Sequence, residues 1–161
     1  MSKAYLLLGS NIGNREKYFS EAEKLILKEI GRIVKVSGLY ETEPWGMKIK
    51  DFFLNKVIIV DTNFEPEIIL EKILTIELKL GRKHSEIKYS SRTIDIDILF
   101  VDQQILNSET LIIPHPQIAN RHFVLTPLAE VCPDFVHPVL SKSINQLLAE
   151  CKDGLKVKKL G

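Results

Sequence analysis

Two aspartates set two residues apart in an apolar run, Asp95 and Asp97 within Thr93-Ile94-Asp95-Ile96-Asp97-Ile98-Leu99-Phe100, have the types and spacing to act on one ligand. On a strand, alternate side chains share a face. Both carboxylates would project from one side with Cα atoms roughly 6–7 Å apart, while Ile94, Ile96 and Ile98 face the other way. Such a pair suits Mg2+, which takes one or two protein carboxylates and completes its octahedron with water and substrate phosphate. The plainer alternative is a strand with one solvated face, but adjacent carboxylates there repel each other without a cation.

Arg82 and Arg92 bracket the polar, basic stretch 83–91. Guanidinium groups at both ends of a loop can hold phosphate oxygens in bidentate fashion and spread the charge of a transferring group. A charged surface loop is the ordinary alternative; with the acidic pair starting three residues after Arg92, a magnesium–polyphosphate site explains both features together. Glu77 stands four residues after Ile73 and three before Leu80, where a helical stripe calls for a hydrophobe. It is expected to have a partner, or else to turn to solvent at the stripe's edge. The Gly9 to Gly13 loop lacks the ending of a P-loop and the spacing of a dinucleotide fingerprint, so an ordinary turn explains it equally well. His115, between two prolines, and Arg121-His122-Phe123 are possible nucleotide contacts, although each taken singly reads as structural or surface.

These residues need elements to position them. Ala4 to Leu8 reads as a buried strand ending in the glycine loop. A helix follows from Asn14, with Phe19, Ala22, Ile26 and Ile30 as its stripe and Gly31 as its stop. Arg32 to Tyr40 and Phe52 to Asp61 read as strands, and Glu65-Pro66 opens a second helix with Leu70, Ile73 and Leu80 inward and Gly81 just past its end. Thr93 to Val101 is the next strand, and the turn at 102–104 leads to Ile105-Leu106 as its hairpin partner. Five prolines between Ser108 and Pro138 predict a largely irregular segment, before a short helix over Ser143 to Cys151 with Ile144, Leu147 and Leu148 inward. This order predicts an α+β, ferredoxin-like sandwich: a mainly antiparallel sheet with helices on one face and the cleft on the other side.

Composition narrows the class. The 161 residues, 45% apolar and 27% charged, fit one domain over 1–161 that buries a core without disulfide or structural metal. A net charge of +1 with basic residues spread along the chain gives no footprint for duplex nucleic acid. No run is long enough for a membrane span or signal core, and two cysteines at positions 132 and 151 form neither a metal pattern nor a disulfide framework. A cytoplasmic monomer, with no nucleic acid or membrane partner, is the expectation.

Six segments in order resemble the hydroxymethyldihydropterin pyrophosphokinases: Gly9-Ser10-Asn11-Ile12-Gly13, Tyr40-Glu41-Thr42-Glu43-Pro44-Trp45-Gly46, Phe53-Leu54-Asn55, Glu77-Leu78-Lys79-Leu80-Gly81-Arg82, Arg92-Thr93-Ile94-Asp95-Ile96-Asp97-Ile98 and Ile113-Pro114-His115-Pro116. The likeness runs to about Pro127. It implies diphosphate transfer from ATP to 6-hydroxymethyl-7,8-dihydropterin in folate biosynthesis, with a pair of Mg2+ ions bound with ATP. Asp95 and Asp97 match metal ligands, with Asp97 also catalytic, and Arg82 and Arg92 match catalytic arginines that contact phosphate. Glu77, Tyr89, Ile98, His115 and Arg121 fall with those arginines on the ATP side. Thr42, Pro44, Trp45, Gly46, Phe53, Asn55 and Phe123 fall on the pterin side, with the ring stacked between Phe53 and Phe123. The chain departs from the family pattern at Tyr89-Ser90-Ser91, where a tryptophan and then Gly-Pro are usual, and at His84, Thr110 and Ile112. Two other readings stand beside this one: a ferredoxin-like module for single-stranded RNA, and a metal-dependent phosphohydrolase using the same carboxylates.

Overall fold

The apolar run of β1 (Ser2–Ser10) has no polar side because the strand is buried on both faces. Ala4, Leu6 and Leu8 join one core; Tyr5 and Leu7 join a second core across the sheet. The computed structural model describes residues 1–10, 15–42, 53–81 and 94–160. Within them β1 is followed by α1 (Arg15–Glu29), β2 (Arg32–Val36), β3 (Tyr40–Thr42), β4 (Phe53–Thr62), α2 (Pro66–Lys79), β5 (Asp95–Val101), β6 (Leu106–Asn107), β7 (Ile112–Ile113), α3 (His122–Val131), α4 (Ile144–Glu150) and β8 (Val157–Lys159).

The six-stranded sheet has the order β5-β1-β4-β3-β8, β2 also pairs with β4, and every pairing is antiparallel. The expected stripe of α1 is in place, with Phe19, Ala22, Ile26 and Ile30 buried. In α2 the stripe is centred on Ile69, Ile73 and Ile76, and Leu70 is only partly buried. Gly81 follows α2 with φ 97°, the left-handed conformation that ends helices and that glycine adopts without a Cβ clash.

Four expectations are corrected. Arg32 to Tyr40 forms two strands, because the ladder is interrupted at Ser37, whose Oγ accepts from Val57 N at 2.9 Å while its own N–H donates to Val57 O at 2.9 Å. Leu106 pairs with Ile113 of β7 and not with β5, since Asp102, at φ 48°, turns the chain back onto Lys3 of β1. The segment expected to be irregular contains α3, with Pro127 inside it. One missing N–H there is outweighed by burial of Val124, Leu125, Leu128 and Val131. Helices occupy both faces of the sheet rather than one: α1 and α2 pack on the Leu6 side, α3 and α4 on the Tyr5 side. A sheet whose central strands are apolar on both sides needs both covered. No helix among the described residues is long and apolar enough to cross a membrane.

The register of β5 on β1 shifts between Tyr5 and Leu6, so Leu99 is an extra residue between Ile98, opposite Leu6, and Phe100, opposite Tyr5. Before this bulge Asp95 and Asp97 lie opposite Gly9 and Leu7, on the side of α3 and α4. The helix α3 is tied to the sheet by Glu130, whose carboxylate accepts from the Tyr40 hydroxyl at 2.6 Å and from Gly38 N at 3.1 Å, with Lys159 Nζ at 3.5 Å.

Two predictions follow from these contacts. A Cβ on Gly31 would sit 1.9 Å from Asp61 O, so Gly31→Ala must displace backbone and should lower stability by about 1–3 kcal/mol in urea unfolding. Burial raises the Glu130 pKa, but the bonds from Tyr40 and Gly38 and the charge of Lys159 outweigh it and hold the carboxyl below its ordinary value. A folded value below the unfolded one gives stability that is complete above the unfolded pKa and lost as pH falls through the folded pKa. Between about pH 5 and pH 3 the wild-type melting midpoint should therefore fall more than that of Glu130→Gln; parallel curves would remove Glu130 from this role.

Candidate active site

The sheet face carrying Tyr5, Leu7, Val57 and Ile59 is packed under α3 and α4 for only part of its length. Beyond that cover the strands continue as Gly9, Asn55, Phe53, Thr42, Asp95 and Asp97, which with Leu7, Arg121, Phe123 and Leu155 line a cleft of about 310 Å3. The ladder registers set the floor. Gly9 of β1 lies between Asp95 of β5 and Asn55 of β4, and Asn55 in turn lies opposite Tyr40 of β3. A Cβ on Gly9 would come within 2.8 Å of Asn55 Nδ2, so the glycine leaves room for the amide beside the acidic strand.

Seven of the residues expected from sequence thus meet in one cleft: Thr42, Phe53, Asn55, Asp95, Asp97, Arg121 and Phe123. Thr42 Oγ1 and Asn55 Oδ1 are buried with no hydrogen-bond partner among the described residues, and Asn55 Nδ2 reaches only Leu8 O at 3.5 Å. Buried polar atoms are seldom left unpaired, because each costs its full desolvation, so this pair fits a ligand that brings hydrogen-bonding groups of its own. Phe53 remains 41% exposed, leaving much of its ring uncovered.

Asp97 borders a second cleft of about 300 Å3, shared with Ile98, His115, Glu109 and Thr110. Asp97 therefore lines both spaces. The His115 backbone N–H donates to Leu99 O at 3.0 Å and ties this segment to β5. Its Nδ1 accepts from Gln117 N at 3.1 Å, which leaves the ring proton on Nε2. Burial pushes the His115 imidazole below its usual pKa, against the opposing pull of Asp97, and the Arg121 charge acts with burial.

Glu77 is 1% exposed, and its Oε2 accepts from Ile96 N at 2.8 Å. Ile96 lies between the two aspartates on β5, whose only ladder partner among the described strands is β1. The carboxylate in the apolar stripe of α2 therefore satisfies one outward amide of that strand, and the partnering expected from sequence includes this backbone amide. Among the described residues no group of three His, Cys, Asp or Glu is gathered for a metal. Two carboxylates without soft donors nevertheless fit a hard cation that keeps water and substrate oxygens as its other ligands. Pro44, Trp45, Gly46, Arg82, Tyr89 and Arg92 lie outside the described residues. Leu155 lines the cleft although no motif pointed to it; it comes to the site on the segment between α4 and β8, and its apolar type alone carries no signal.

The family model for 7,8-dihydro-6-hydroxymethylpterin-pyrophosphokinase (HPPK) matches residues 5–133. The chain belongs to this family. Among HPPK relatives, the 2-amino-4-hydroxy-6-hydroxymethyldihydropteridine pyrophosphokinase of Bacillus subtilis is 42% identical over 130 residues, covering 80% of this chain and 77% of that protein. The Aquifex aeolicus protein of the same name is 38% identical over 151 residues, covering 93% and 92%. The folic acid synthesis protein fol1 of Pneumocystis carinii is 45% identical over 141 residues, 87% of this chain but only 19% of its own length. The fold is shared with a crystal structure of HPPK-DHPS in complex with substrates, at TM-score 0.75 and 17% identity over 92% of this chain and 43% of the other. Wild-type Plasmodium falciparum HPPK-DHPS gives TM-score 0.76 and 19% identity, over 92% and 44%.

Removing the buried acceptor should loosen β5. Glu77→Ala is expected to cost about 1–3 kcal/mol in denaturant unfolding, with Glu77→Gln, which keeps a carbonyl oxygen, recovering a good part of it.

Proposed function

We propose that this chain transfers diphosphate from ATP to the 6-hydroxymethyl group of 6-hydroxymethyl-7,8-dihydropterin, releasing AMP and the pterin diphosphate in folate biosynthesis. Membership of the HPPK family and identities of about 40% to pyrophosphokinases support this reading. The observation that carries it is the single cleft in which a strand-borne carboxylate pair adjoins the exposed ring of Phe53, the partly buried ring of Phe123 and two unpaired buried polar atoms. A flat heterocycle with N–H and C=O edges fits there, stacked by Phe53 and Phe123 and oriented by Asn55 and Thr42. Pro44, Trp45 and Gly46 complete the pterin side as the family resemblance implies.

ATP is assigned to the neighbouring space bordered by Ile98 and His115, with Arg121 on the phosphate side. Asp97 belongs to both linings, so the reacting ends of the two substrates meet beside it. The pterin hydroxyl oxygen forms a bond to the β-phosphorus as the bond from that phosphorus to the α,β-bridging oxygen breaks, and AMP leaves with that electron pair. Asp97 is placed to accept the hydroxyl proton. The Nε2–H of His115 can donate to a phosphate oxygen, and Arg82 and Arg92 spread the charge of the group in transit. Glu77 serves the nucleotide side by holding β5, and Tyr89 covers it. A pair of Mg2+ ions, held by Asp95 and Asp97 and carried in with ATP, would neutralise phosphate charge and make the hydroxyl more acidic.

We also read the β1-α1-β2-β4-α2-β5 succession as ferredoxin-like, with α3, α4 and β8 added to one domain over 1–161. The chain is taken as a cytoplasmic monomer without nucleic acid or membrane partners. A sheet covered on both faces, with acid on its open part, argues against single-stranded RNA.

Mixing the protein with ATP, magnesium and the reduced pterin should yield AMP and pterin diphosphate. AMP release that does not require pterin would mean hydrolysis instead. Asp97→Ala is expected to lower pterin-dependent turnover by about 1,000-fold or more while its circular dichroism stays that of the wild type; undiminished turnover at saturating magnesium would reject the assignment.

A further inference from the structure

The segment 152–160 adds Leu155 to the lining of the cleft, although the family match ends at residue 133. Its Asp153 joins two walls. Oδ2 accepts from His122 N at 3.1 Å, across 31 residues of sequence, and Oδ1 accepts from Leu155 N at 2.9 Å. His122 is the first residue of α3, and the residue before it, Arg121, makes no side-chain cap bond because a guanidinium has no acceptor. The start of a helix carries unpaired N–H groups and partial positive charge, and a carboxylate answers both. For α4 that role is local, played by Ser143 in a capping box with Gln146. For α3 it comes from the far end of the chain.

The consequence lies in the cleft. With the cap supplied by Asp153, the residue before α3 need not be a capping type, and an arginine stands there. Its guanidinium carbon lies 5.5 Å from the Phe123 ring centroid, and both residues line the cleft. Leu155, held by the other oxygen, lines the same cleft as Thr42 and Phe53. Two residues further on, Val157 pairs with Thr42 in the ladder of β8 on β3. Leu155 is absent from the second cleft, where Ile98 and His115 lie.

We propose that Leu155 is a specificity residue for the pterin ring and Asp153 a positioning residue that sets it together with Arg121 and Phe123. This rests on the diphosphate-transfer reading above. Leu155 adds an apolar edge to the aromatic and polar groups around the heterocycle and excludes water from it, so its effect falls on the pterin and not on ATP.

The test is steady-state kinetics of the whole chain with each substrate varied in turn, alongside melting curves. Leu155→Ala should raise KM for the pterin about tenfold and leave KM for ATP and the melting midpoint near wild type. Leu155→Trp, which fills the space, should raise pterin KM further. Asp153→Ala should raise pterin KM and lower kcat, and Asp153→Asn, which keeps one acceptor for the cap, should restore most of both. If Asp153→Ala lowers only the melting midpoint with both KM values unchanged, its role is structural and the positioning claim fails. Wild-type pterin KM in both Leu155 variants, with the wild type active, overturns the specificity claim. A wild type that releases no pterin-dependent AMP is a different result: it removes the diphosphate-transfer reading, and this inference with it.

Discussion

Pairing of β1 on both edges fixes the site before any catalytic side chain is considered. Its ladder to β4 and its ladder to β5 put Asn55, Gly9 and Asp95 in one row across the sheet. Side chains alternate along a strand, so a slip of one residue in either ladder would turn the carboxylates to the opposite face, into the core built by Leu6, Ile58 and Ile73. Burial on both faces holds that register: a slip would exchange the neighbours of every apolar side chain on β1 at once.

The functional strand lies at an edge, which is a weak place for accuracy. β5 has one ladder neighbour among the described strands, and its outward amide at Ile96 would otherwise need water. Glu77 meets that amide from the buried side of α2, at a position where sequence pattern calls for a hydrophobe. The bulge at Leu99 then lets Phe100 return to the aromatic cluster with Tyr5 and Phe135, at centroid distances of 5.7 and 4.5 Å, while Asp95 and Asp97 stay on the cleft side. Acidic function and apolar anchoring share one strand because of one extra residue.

The opposite wall is held by contacts distant in sequence. Glu130 ties the later turns of α3 to Tyr40 and Gly38, Lys35 Nζ donates to Val131 O at 3.2 Å at its end, and Asp153 meets its first turn. The ends of this helix are thus bonded to the sheet and to the C-terminal segment, and Arg121 and Phe123 are presented from a fixed support. An enzyme that joins two substrates gains most from such fixity, since positioning of the reactants is a large part of catalysis.

Much of this was legible in the chain itself. Period-two alternation put Asp95 and Asp97 on one face; stripes at three and four residues marked α1 and α2; six ordered motifs pointed to the family that the match over residues 5–133 then showed. These are local signals, carried by neighbours in sequence. The tertiary structure alone decided that Arg32 to Tyr40 would break at Ser37, that α3 would form despite Pro127, that both faces of the sheet would be covered, and that Leu155 would stand beside Thr42. Each of these depends on a hydrogen bond or an apolar contact between residues far apart along the chain, and the energy of such a contact exists only once folding has brought its two halves together.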